Sequence, residues 1–271
     1  MRTQSEKASI FLALHQRGQP LLMPNPWDLG SARLFETLGF AALATTSSGF
    51  AATLARPDGA VSRDEAVAHA AAIAAGTDLP VSADLENCFA DDPAGVAETV
   101  RMAVAAGLAG CSVEDHTGRA EDPIYDRSFA VERVAAAAEA AHSGPVHLVL
   151  TARAENHLHG RPYLADTIAR LQDYAAAGAD VVFAPGVTRH DELAELVAAV
   201  GKPVNALAMP GMASVAELAA IGVSRISTGG ALAYAAFGAA AAAATELRDH
   251  GTFGYLDQAG RGRAAAAAAF G

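Results

Sequence analysis

Short apolar runs alternate with Ala-rich helical stretches along the whole chain, and this alternation restricts the fold more than any other feature. A polar break follows each apolar run, and a helical stretch comes next. The runs predict strands at Leu21–Met23, Ala41–Thr45, Leu79–Ala83, Gly110–Glu114, His147–Thr151, Asp180–Phe183, Pro203–Leu207 and Arg225–Ser227. The stretches between them predict helices at Ser31–Leu38, Arg63–Ala75, Pro93–Ala106, Phe129–Ala141, Tyr163–Ala177, Asp191–Val200, Ser214–Ile221 and Ala231–Arg248.

Eight strands that alternate with eight helices predict an α/β fold, a closed (β/α)8 barrel of the TIM type. Strands joined through helices pair in parallel, and strands covered on both faces read as continuous apolar runs. The competing architecture is an open doubly wound sheet, which normally has a Gly-x-Gly-x-x-Gly turn after its first strand. This chain continues there with Pro24-Asn-Pro-Trp27. Since no long linker interrupts the pattern, we expect one barrel domain over residues 1–271.

The charge balance and the cysteine content restrict the partners of the protein. Lys and Arg number 19 against 30 Asp and Glu, which gives a net charge of −11, and an acidic surface repels nucleic acid. Two cysteines, Cys88 and Cys111, are too few for a disulfide framework and indicate a reducing cytoplasm. Residues 1–19 carry charges that favour a helix over a signal peptide. The Ala-rich stretch 231–245 is too short for a membrane span, so no membrane partner is expected.

The carboxyl ends of the strands form the rim where barrels of this type carry their active sites. The polar residues at these ends are mostly carboxylates. They are Asn25, Asp28, Ser47, Ser48, Asp84, Glu86, Glu114, Asp115, His116, Arg153 and Glu155, with Asn205 inside the seventh strand. Carboxylates gathered on one rim repel each other unless a cation lies among them, and oxygen donors suit Mg²⁺ or Mn²⁺. Arg153 is then the expected partner of a substrate carboxylate through two parallel hydrogen bonds.

Structural interpretations of the same residues stay open. Asp84 and Glu86 fit solvated loop carboxylates or a helix cap as well as a metal site. Residues 47–49 fit either a simple turn or a cradle of backbone N–H groups for an anion. Arg153 fits an internal salt bridge with a neighbouring glutamate, and Trp27 fits the core or a pocket wall.

Two further segments have alternative interpretations. His157 and His159 resemble a zinc pair, but they follow the fifth strand rather than the first, which favours a surface loop. The segment 227–230 opens the last predicted helix, where many barrels bind phosphate. It is equally consistent with an ordinary helix cap.

Several motifs, in this order, resemble those of the isocitrate lyase and phosphoenolpyruvate mutase superfamily. The matching segments are Asn25-Pro-Trp-Asp-Leu-Gly-Ser-Ala-Arg33, Thr46-Ser-Ser-Gly49, Arg56-Pro-Asp-Gly59, Val81-Ser-Ala-Asp-Leu-Glu86, Val113-Glu-Asp115, Thr151-Ala-Arg153 and Ala177-Gly-Ala-Asp180. The resemblance implies a barrel that binds Mg²⁺ and an α-keto acid or its enolate. It also implies a homo-oligomer, usually a tetramer, in which the C-terminal helices are exchanged between subunits.

The resemblance assigns roles to individual residues. Asp84 resembles the main metal-site carboxylate, with Asp58, Glu86 and Glu114 near the metal or its water molecules. The expected substrate-binding residues are Ser48, Gly49, Phe50, Trp27, Asn205 and Arg153. The expected catalytic residues are Arg153, Glu114, His116 and Asp58.

The chain also departs from the superfamily pattern. Ser82 stands where many members have the first Asp of an Asp-x-Asp motif, which leaves Glu86 as a compensating carboxylate. The loop 116–122 has neither the cysteine of the isocitrate and methylisocitrate lyases nor the lysine of the mutases and phosphonopyruvate hydrolases. Pro185 stands where the methylisocitrate lyases have a glutamate. We therefore expect His116 or Arg119 to protonate or orient the leaving fragment.

Together these features predict a Mg²⁺-dependent lyase that cleaves a carbon–carbon bond in a small α-keto or 2-hydroxy polycarboxylate. Methylisocitrate lyase-like cleavage and oxaloacetate decarboxylation are the nearest activities. The alternatives are a phosphonopyruvate hydrolase or mutase, and a barrel that binds a keto acid without catalysis.

Overall fold

The computed structural model describes residues 2–271 and contains one sheet of eight parallel strands rolled into a barrel. The strands are β1 Leu21–Met23, β2 Leu43–Ala44, β3 Val81–Ala83, β4 Gly110–Glu114, β5 Val149–Arg153, β6 Val181–Phe183, β7 Val204–Leu207 and β8 Arg225–Ser227. Sequence neighbours from β2 to β8 pair in order, and β8 pairs with β1. Between β1 and β2 the Ala44 N–H donates to the Pro24 carbonyl at 3.2 Å. The predicted (β/α)8 barrel is confirmed.

Helices lie between all the strands and cover the outside of the barrel. In residues 2–271 they are α1 Gln4–Ala13, α2 Leu29–Thr37, α3 Ser47–Thr53, α4 Arg63–Gly76, α5 Pro93–Ala105, α6 Arg127–His142, α7 Leu164–Ala176, α8 His190–Ala199, α9 Val215–Ala220, α10 Ala231–His250 and α11 Leu256–Phe270. The eight helices predicted after the strands correspond to α2 and α4–α10. None of the described helices is long and apolar enough to cross a membrane.

Local sequence fixes where several helices begin. Ser62 and Ser214 each accept a hydrogen bond from the glutamate N–H three residues on, and that glutamate bonds back to the serine backbone. At the start of α5 the Asp92 side chain accepts from the Gly95 N–H at 2.9 Å, with Pro93 at the first helical position. These caps satisfy N–H groups that have no partner inside the helix. They fix the point at which each rim loop turns into a helix.

The amino-terminal end of the barrel is closed by α1. Phe11 is fully buried, and it packs in one apolar cluster with Ala42, Val149 and Val181 at the strand starts. A Cβ atom on Gly110 would lie 2.7 Å from the Phe11 ring, so the strand approaches the helix as closely as glycine allows. The opposite, carboxyl end of the barrel stays open for a site.

Three of the differences between the structure and the sequence prediction have clear physical reasons. Strand β5 runs from Val149 to Arg153, two residues later than predicted, because the Leu148 N–H donates to the Ala141 carbonyl of α6 at 3.0 Å and the ladder begins at Val149. Residues 47–49, expected as a turn or cradle, open α3, because the Thr46 side chain accepts from the Gly49 N–H. The pattern gave no helix bounds for α11, whose Ala- and Gly-rich segment is almost entirely exposed.

Candidate active site

The carboxyl ends of β3, β4 and β5 bring three of the predicted carboxylates around Arg153. The Arg153 Nη1 donates to Asp84 Oδ1 at 2.9 Å, and Nε donates to Glu155 Oε1 at 2.7 Å. Nη2 lies 3.2 Å from Glu114 Oε2. The arginine side chain is only 16% exposed. Arg153 therefore forms internal salt bridges, which was one interpretation of the sequence. It forms them at the strand-end rim, where the other interpretation places a substrate carboxylate.

Asp84 is held in place by the strand on either side. Its Oδ2 accepts from the Ser47 N–H at 3.1 Å, and its Oδ1 lies 3.5 Å from the Ser112 hydroxyl. The Asp84 N–H donates to the Thr45 hydroxyl at 2.9 Å. These bonds fix the carboxylate at the junction of β2, β3 and β4. Thr45 and Ser112 were not singled out in the sequence, since lone hydroxyls in strands carry no specific signal.

The loop after β3 holds Glu86 in an unusual backbone conformation. Glu86, Cys88 and Phe89 have φ values of 51°, 60° and 54°, in the left-handed region that non-glycine residues rarely occupy. The buried Arg133 of α6 donates to the carbonyl oxygens of Asn87, Ala90 and Asp91 in this loop and to that of Glu114. Arg133 therefore clamps a strained loop and links it to the end of β4.

Negative charge exceeds positive charge at this rim. Burial, together with the charges of Asp84 and Asp58, raises the pKa of Glu86 to about 7. Burial also raises the pKa of Asp58 and moves the pKa of Glu114 well above its ordinary value. Burial acts against the Arg153 cation, but the surrounding carboxylates raise the pKa of Arg153 well above its ordinary value. One arginine does not balance this many carboxylates.

The donor set fits a hard divalent cation. Asp58, Asp84, Glu86 and Glu114 offer only oxygen atoms, which suits Mg²⁺ or Mn²⁺, and a divalent charge would relieve the crowding of carboxylates. Among the described residues, these carboxylates do not form a set of three oxygens within 4.8 Å. Mg²⁺ usually keeps several water molecules and is held through one or two carboxylates. The arrangement fits direct binding at Asp84 with the other carboxylates acting through water.

A second cluster of metal-type ligands lies at the other end of the barrel. His142 and His147 each place Nε2 3.0 Å from Asp180, and their rings stack at 4.0 Å with an angle of 4° between the planes. Each nitrogen lone pair lies in its own ring plane, so two parallel stacked rings cannot direct both lone pairs at one ion. The two histidines instead hold the carboxylate that also accepts from the Leu150 N–H.

Two adjoining cavities open at the carboxyl end of the barrel. The inner cavity, of about 210 Å³, is lined by Asp84, Ser48 and the polar residues of the barrel interior. The outer cavity, of about 550 Å³, is lined by Glu86, Glu114 and His116. Arg153 lines both, which places it at the boundary between them.

The predicted substrate-binding segment reaches the inner cavity through Ser48. A Cβ on Gly49 would lie 2.5 Å from the Thr46 side chain and 3.3 Å from that of Trp27, and a Cβ on Gly230 would lie 2.5 Å from the Ser48 hydroxyl. Neighbouring atoms therefore pack too closely at both glycines to accept a Cβ atom without a shift. Behind the cavity, the Phe50 ring stacks on the His69 ring with 3.7 Å between the ring centroids. Gly49, Phe50 and Trp27 support the wall, and Ser48 lines it.

Asn205 does not line either cavity. Its Oδ1 accepts from the Arg225 Nε at 2.9 Å, and its amide nitrogen donates to the Ser227 hydroxyl at 2.9 Å. Arg225, which the sequence analysis did not select, lines the inner cavity instead. No sequence signal identifies Arg225, because it opens a strand and its side chain reaches across the barrel.

The two loop residues proposed as proton donors occupy different places. His116 lines the outer cavity, lies 3.8 Å from Glu114 Oε1 and stacks on His159 at 3.8 Å. Burial, with the neighbouring His159 and Arg153, lowers the pKa of His116 to about 4. Arg119 pairs with Asp91 at 3.2 Å and lines neither cavity. The geometry favours His116.

The structure also bears on the two segments that had alternative interpretations, the pair His157 and His159 and residues 227–230. Within the described residues, neither His157 nor His159 belongs to a cluster of three metal-type ligands. The N–H groups of Thr228 and Gly229 donate to Asn25 Oδ1 at 2.9 and 3.0 Å. Since these amides already have a partner, the segment 227–230 serves as a turn that Asn25 closes.

The fold and the site define an α/β barrel of the TIM type with an acidic, arginine-centred rim at the carboxyl ends of its strands. The family model described as phosphoenolpyruvate phosphomutase matches residues 11–248. The chain therefore belongs to this family, within the superfamily that includes isocitrate lyase, and it is an enzyme of that superfamily. The resemblance identified in the sequence is confirmed.

Individual relatives show how varied this superfamily is. A protein of Burkholderia cenocepacia J2315, described provisionally as a lyase/mutase, is 54% identical with a TM-score of 0.91, over 94% of this chain and 92% of its own. An uncharacterized protein of Mycobacterium tuberculosis is 34% identical over 88% of this chain and 89% of its own. Oxaloacetate acetylhydrolase, solved with its product oxalate, is 27% identical with a TM-score of 0.84, over 94% of this chain and 90% of its own.

Proposed function

We propose that the protein is a Mg²⁺-dependent lyase that cleaves a carbon–carbon bond in a small α-keto or 2-hydroxy polycarboxylate through an enolate. The observation that carries the proposal is Arg153, bonded to Asp84, Glu114 and Glu155 at the boundary of two cavities. The inner cavity, of about 210 Å³, has the size for a small acid rather than a cofactor.

The residues of the inner cavity suit a keto acid carboxylate. Ser48 offers a hydroxyl on one side, next to Gly230, which also lines the cavity and has no side chain there. Arg153 offers its planar guanidinium on the other side, a geometry that matches carboxylates and enolates. Substrate held between Ser48 and Arg153 has its reacting bond at the mouth of the outer cavity.

Asp84 would hold the metal directly, and Asp58, Glu86 and Glu114 would hold its water molecules. When bound, Mg²⁺ supplies Lewis-acid polarisation of the keto group and neutralises negative charge that develops on it. The oxygen-only donor set supports this role, as does the raised pKa of Glu86, which burial and the charges of Asp84 and Asp58 cause together.

Bond cleavage next to a carbonyl leaves an electron pair that moves onto the carbonyl oxygen. Arg153 donates hydrogen bonds to that oxygen. These hydrogen bonds stabilise the developing charge more strongly in a site that excludes water. His116 lies in the outer cavity beside Glu114, where the leaving fragment would be. We assign His116 the orientation of that fragment, in place of the loop cysteine or lysine that this chain lacks, because its lowered pKa of about 4 leaves the ring neutral near pH 7.

Phosphonate chemistry is the second candidate function. The family model is described as phosphoenolpyruvate phosphomutase. The mutase-type loop lysine is absent from residues 116–122, which favours the lyase. The oxaloacetate acetylhydrolase relative, solved with oxalate, also supports carbon–carbon cleavage of a keto diacid.

We also propose a cytoplasmic homo-oligomer with exchanged C-terminal helices. The buried Cys88 and Cys111 are unpaired, which suits a reducing compartment. Tyr234, Phe237 and Phe270 of α10 and α11 are about half exposed or more, which is typical of surfaces that pack against another subunit.

The test is a product-release assay with and without Mg²⁺. Methylisocitrate, isocitrate, oxaloacetate and phosphonopyruvate are each incubated with the protein, and pyruvate, glyoxylate, oxalate and phosphate are measured. We expect Mg²⁺-dependent release of a keto acid or oxalate from one carboxylic acid substrate. Release of phosphate from phosphonopyruvate alone would favour the second candidate. If none of the four compounds gives a product while a keto acid still binds, the result would favour a barrel without catalysis.

A further inference from the structure

The interior of this barrel is polar where such barrels are usually filled by branched apolar side chains. Ser82, Ser112, Thr151 and Ser227 line the inner cavity from four different strands, and each is less than a tenth exposed. Arg225 lines it as well and is 3% exposed. These four hydroxyl groups and the guanidinium form the polar floor of the cavity, beside apolar lining residues such as Met23 and Phe183.

Arg225 spans the barrel interior. It opens β8, and its Nη1 donates to the Thr151 hydroxyl of β5 at 3.1 Å. Its Nε donates to Asn205 Oδ1 at 2.9 Å, and its Nη1 also lies 3.2 Å from His15 Nε2. The His15 Nδ1 lies 2.7 Å from the Phe11 carbonyl, so a neutral His15 donates there and accepts from Arg225. These contacts fix the guanidinium plane.

No carboxylate balances the charge of Arg225. All its partners among residues 2–271 are neutral, and its Nη2 makes no hydrogen bond with them. Burial and the nearby Arg153 lower the pKa of Arg225 to about 9, and no anion is close enough to raise it. A buried cation without an anion is costly to keep, whereas Arg153 above it has three carboxylates.

We infer that Arg225 binds, on the cavity floor, a second carboxylate of the substrate fragment that Arg153 holds, so that this enzyme selects dicarboxylates over monocarboxylates. The inference rests on the proposed function, which places the first carboxylate between Ser48 and Arg153. A carboxylate accepts from Arg225 Nη2 and from the Ser227 and Thr151 hydroxyls, which gives the guanidinium its missing anion. The fixed plane means that little ordering is needed on binding.

The test compares two stable 2-hydroxy acids that differ by one carboxylate. Lactate and malate are titrated calorimetrically into wild type, Arg225→Met and Arg225→Lys in the presence of Mg²⁺, and Lys202→Met is the matched control at an exposed cation. We expect wild type and Lys202→Met to bind malate at least tenfold more tightly than lactate. Arg225→Met should remove this preference and leave lactate affinity within twofold. Arg225→Lys, which keeps the charge but not the forked guanidinium group, should retain only part of the preference for malate.

The outcomes separate this inference from the proposed function. If lactate binds wild type and malate binds no more tightly, the inference is wrong and the keto acid site stands. If neither acid binds wild type, both the inference and the proposed function are wrong. If Arg225→Met weakens both acids equally, Arg225 only supports the barrel, which overturns the inference. Thermal melting shows whether each variant is folded, and Arg225→Lys decides the question if Arg225→Met is not.

Discussion

Replacing Arg153 with lysine removes the centre of the proposed site while keeping its charge. Arg153 contacts Asp84 at 2.9 Å, Glu114 at 3.2 Å and Glu155 at 2.7 Å through three different nitrogens. Lysine has one nitrogen on a flexible chain and cannot make these contacts together. Its ammonium group also cannot offer two parallel donors to a carboxylate or an enolate.

The expected loss has two parts. Removing a fixed donor to the developing negative charge costs about 2–4 kcal/mol of transition-state stabilisation, which is about 30-fold to about 1000-fold in kcat/KM. Unfolding is expected to become easier by about 1–3 kcal/mol, because buried carboxylates lose hydrogen bonds. The catalytic loss should appear in kcat more than in KM, because the contact strengthens as charge develops.

The assay is steady-state turnover of the substrate that the panel identifies, with thermal melting in parallel. Arg189→Lys is the matched control, since Arg189 forms an ion pair with Asp191 while 67% exposed. We expect the control to match wild type in both measurements. Turnover of Arg153→Lys within threefold of wild type, in a folded protein, would refute the role of Arg153.

Four further changes test other parts of the account. Asp84→Asn should weaken Mg²⁺ binding at least tenfold in calorimetry, and unchanged affinity would remove Asp84 from the metal site. His116→Ala should lower turnover by about 10²-fold, as expected for a lost orienting group, while Arg119→Ala should not; equal effects would contradict the assignment. The pKa of Glu86 is raised to about 7, so ionisation of Glu86 destabilises the folded state. Without divalent cations, wild type should therefore lose about 1–3 kcal/mol of stability relative to Glu86→Gln as pH rises from about 4.3 to about 7. If the stabilities of the two proteins change in parallel with pH, this prediction is wrong. Phe237→Asp should shift the protein toward monomer in light scattering after size exclusion, whereas a monomeric wild type would end the oligomer proposal.

Most of the fold could be predicted from the sequence because the alternation is unusually regular. The bounds of β1, β4 and β8 agree with prediction, and the other strands overlap it. The errors have physical causes. Strand β5 begins late because the Leu148 N–H donates to the Ala141 carbonyl of α6, and a hydropathy pattern does not record such a backbone bond. The pattern gave α11 no bounds because its Ala- and Gly-rich face has no apolar period, and nearly all of it is exposed.

The rim of the site was predictable, and its floor was not. Asp84 follows its strand directly, and Glu114 and Arg153 end theirs, so their positions in the pattern alone place them at one end of a barrel. Arg225 begins its strand at the other end, and only its long side chain brings it to the cavity. Asn205 was expected to bind substrate and instead holds Arg225, because residues inside a strand can face a neighbour rather than the cavity. Side-chain reach of this kind depends on tertiary packing.

The most direct test of the central claim is whether the protein forms an enolate. Pyruvate is incubated with the protein and Mg²⁺ in D₂O, and loss of the methyl proton signal is followed by NMR. This measurement does not depend on knowing the substrate. The account predicts exchange well above the buffer rate that is abolished by a chelator and reduced at least 30-fold in Arg153→Lys. Exchange at the buffer rate, with pyruvate and Mg²⁺ both shown to bind, would contradict it.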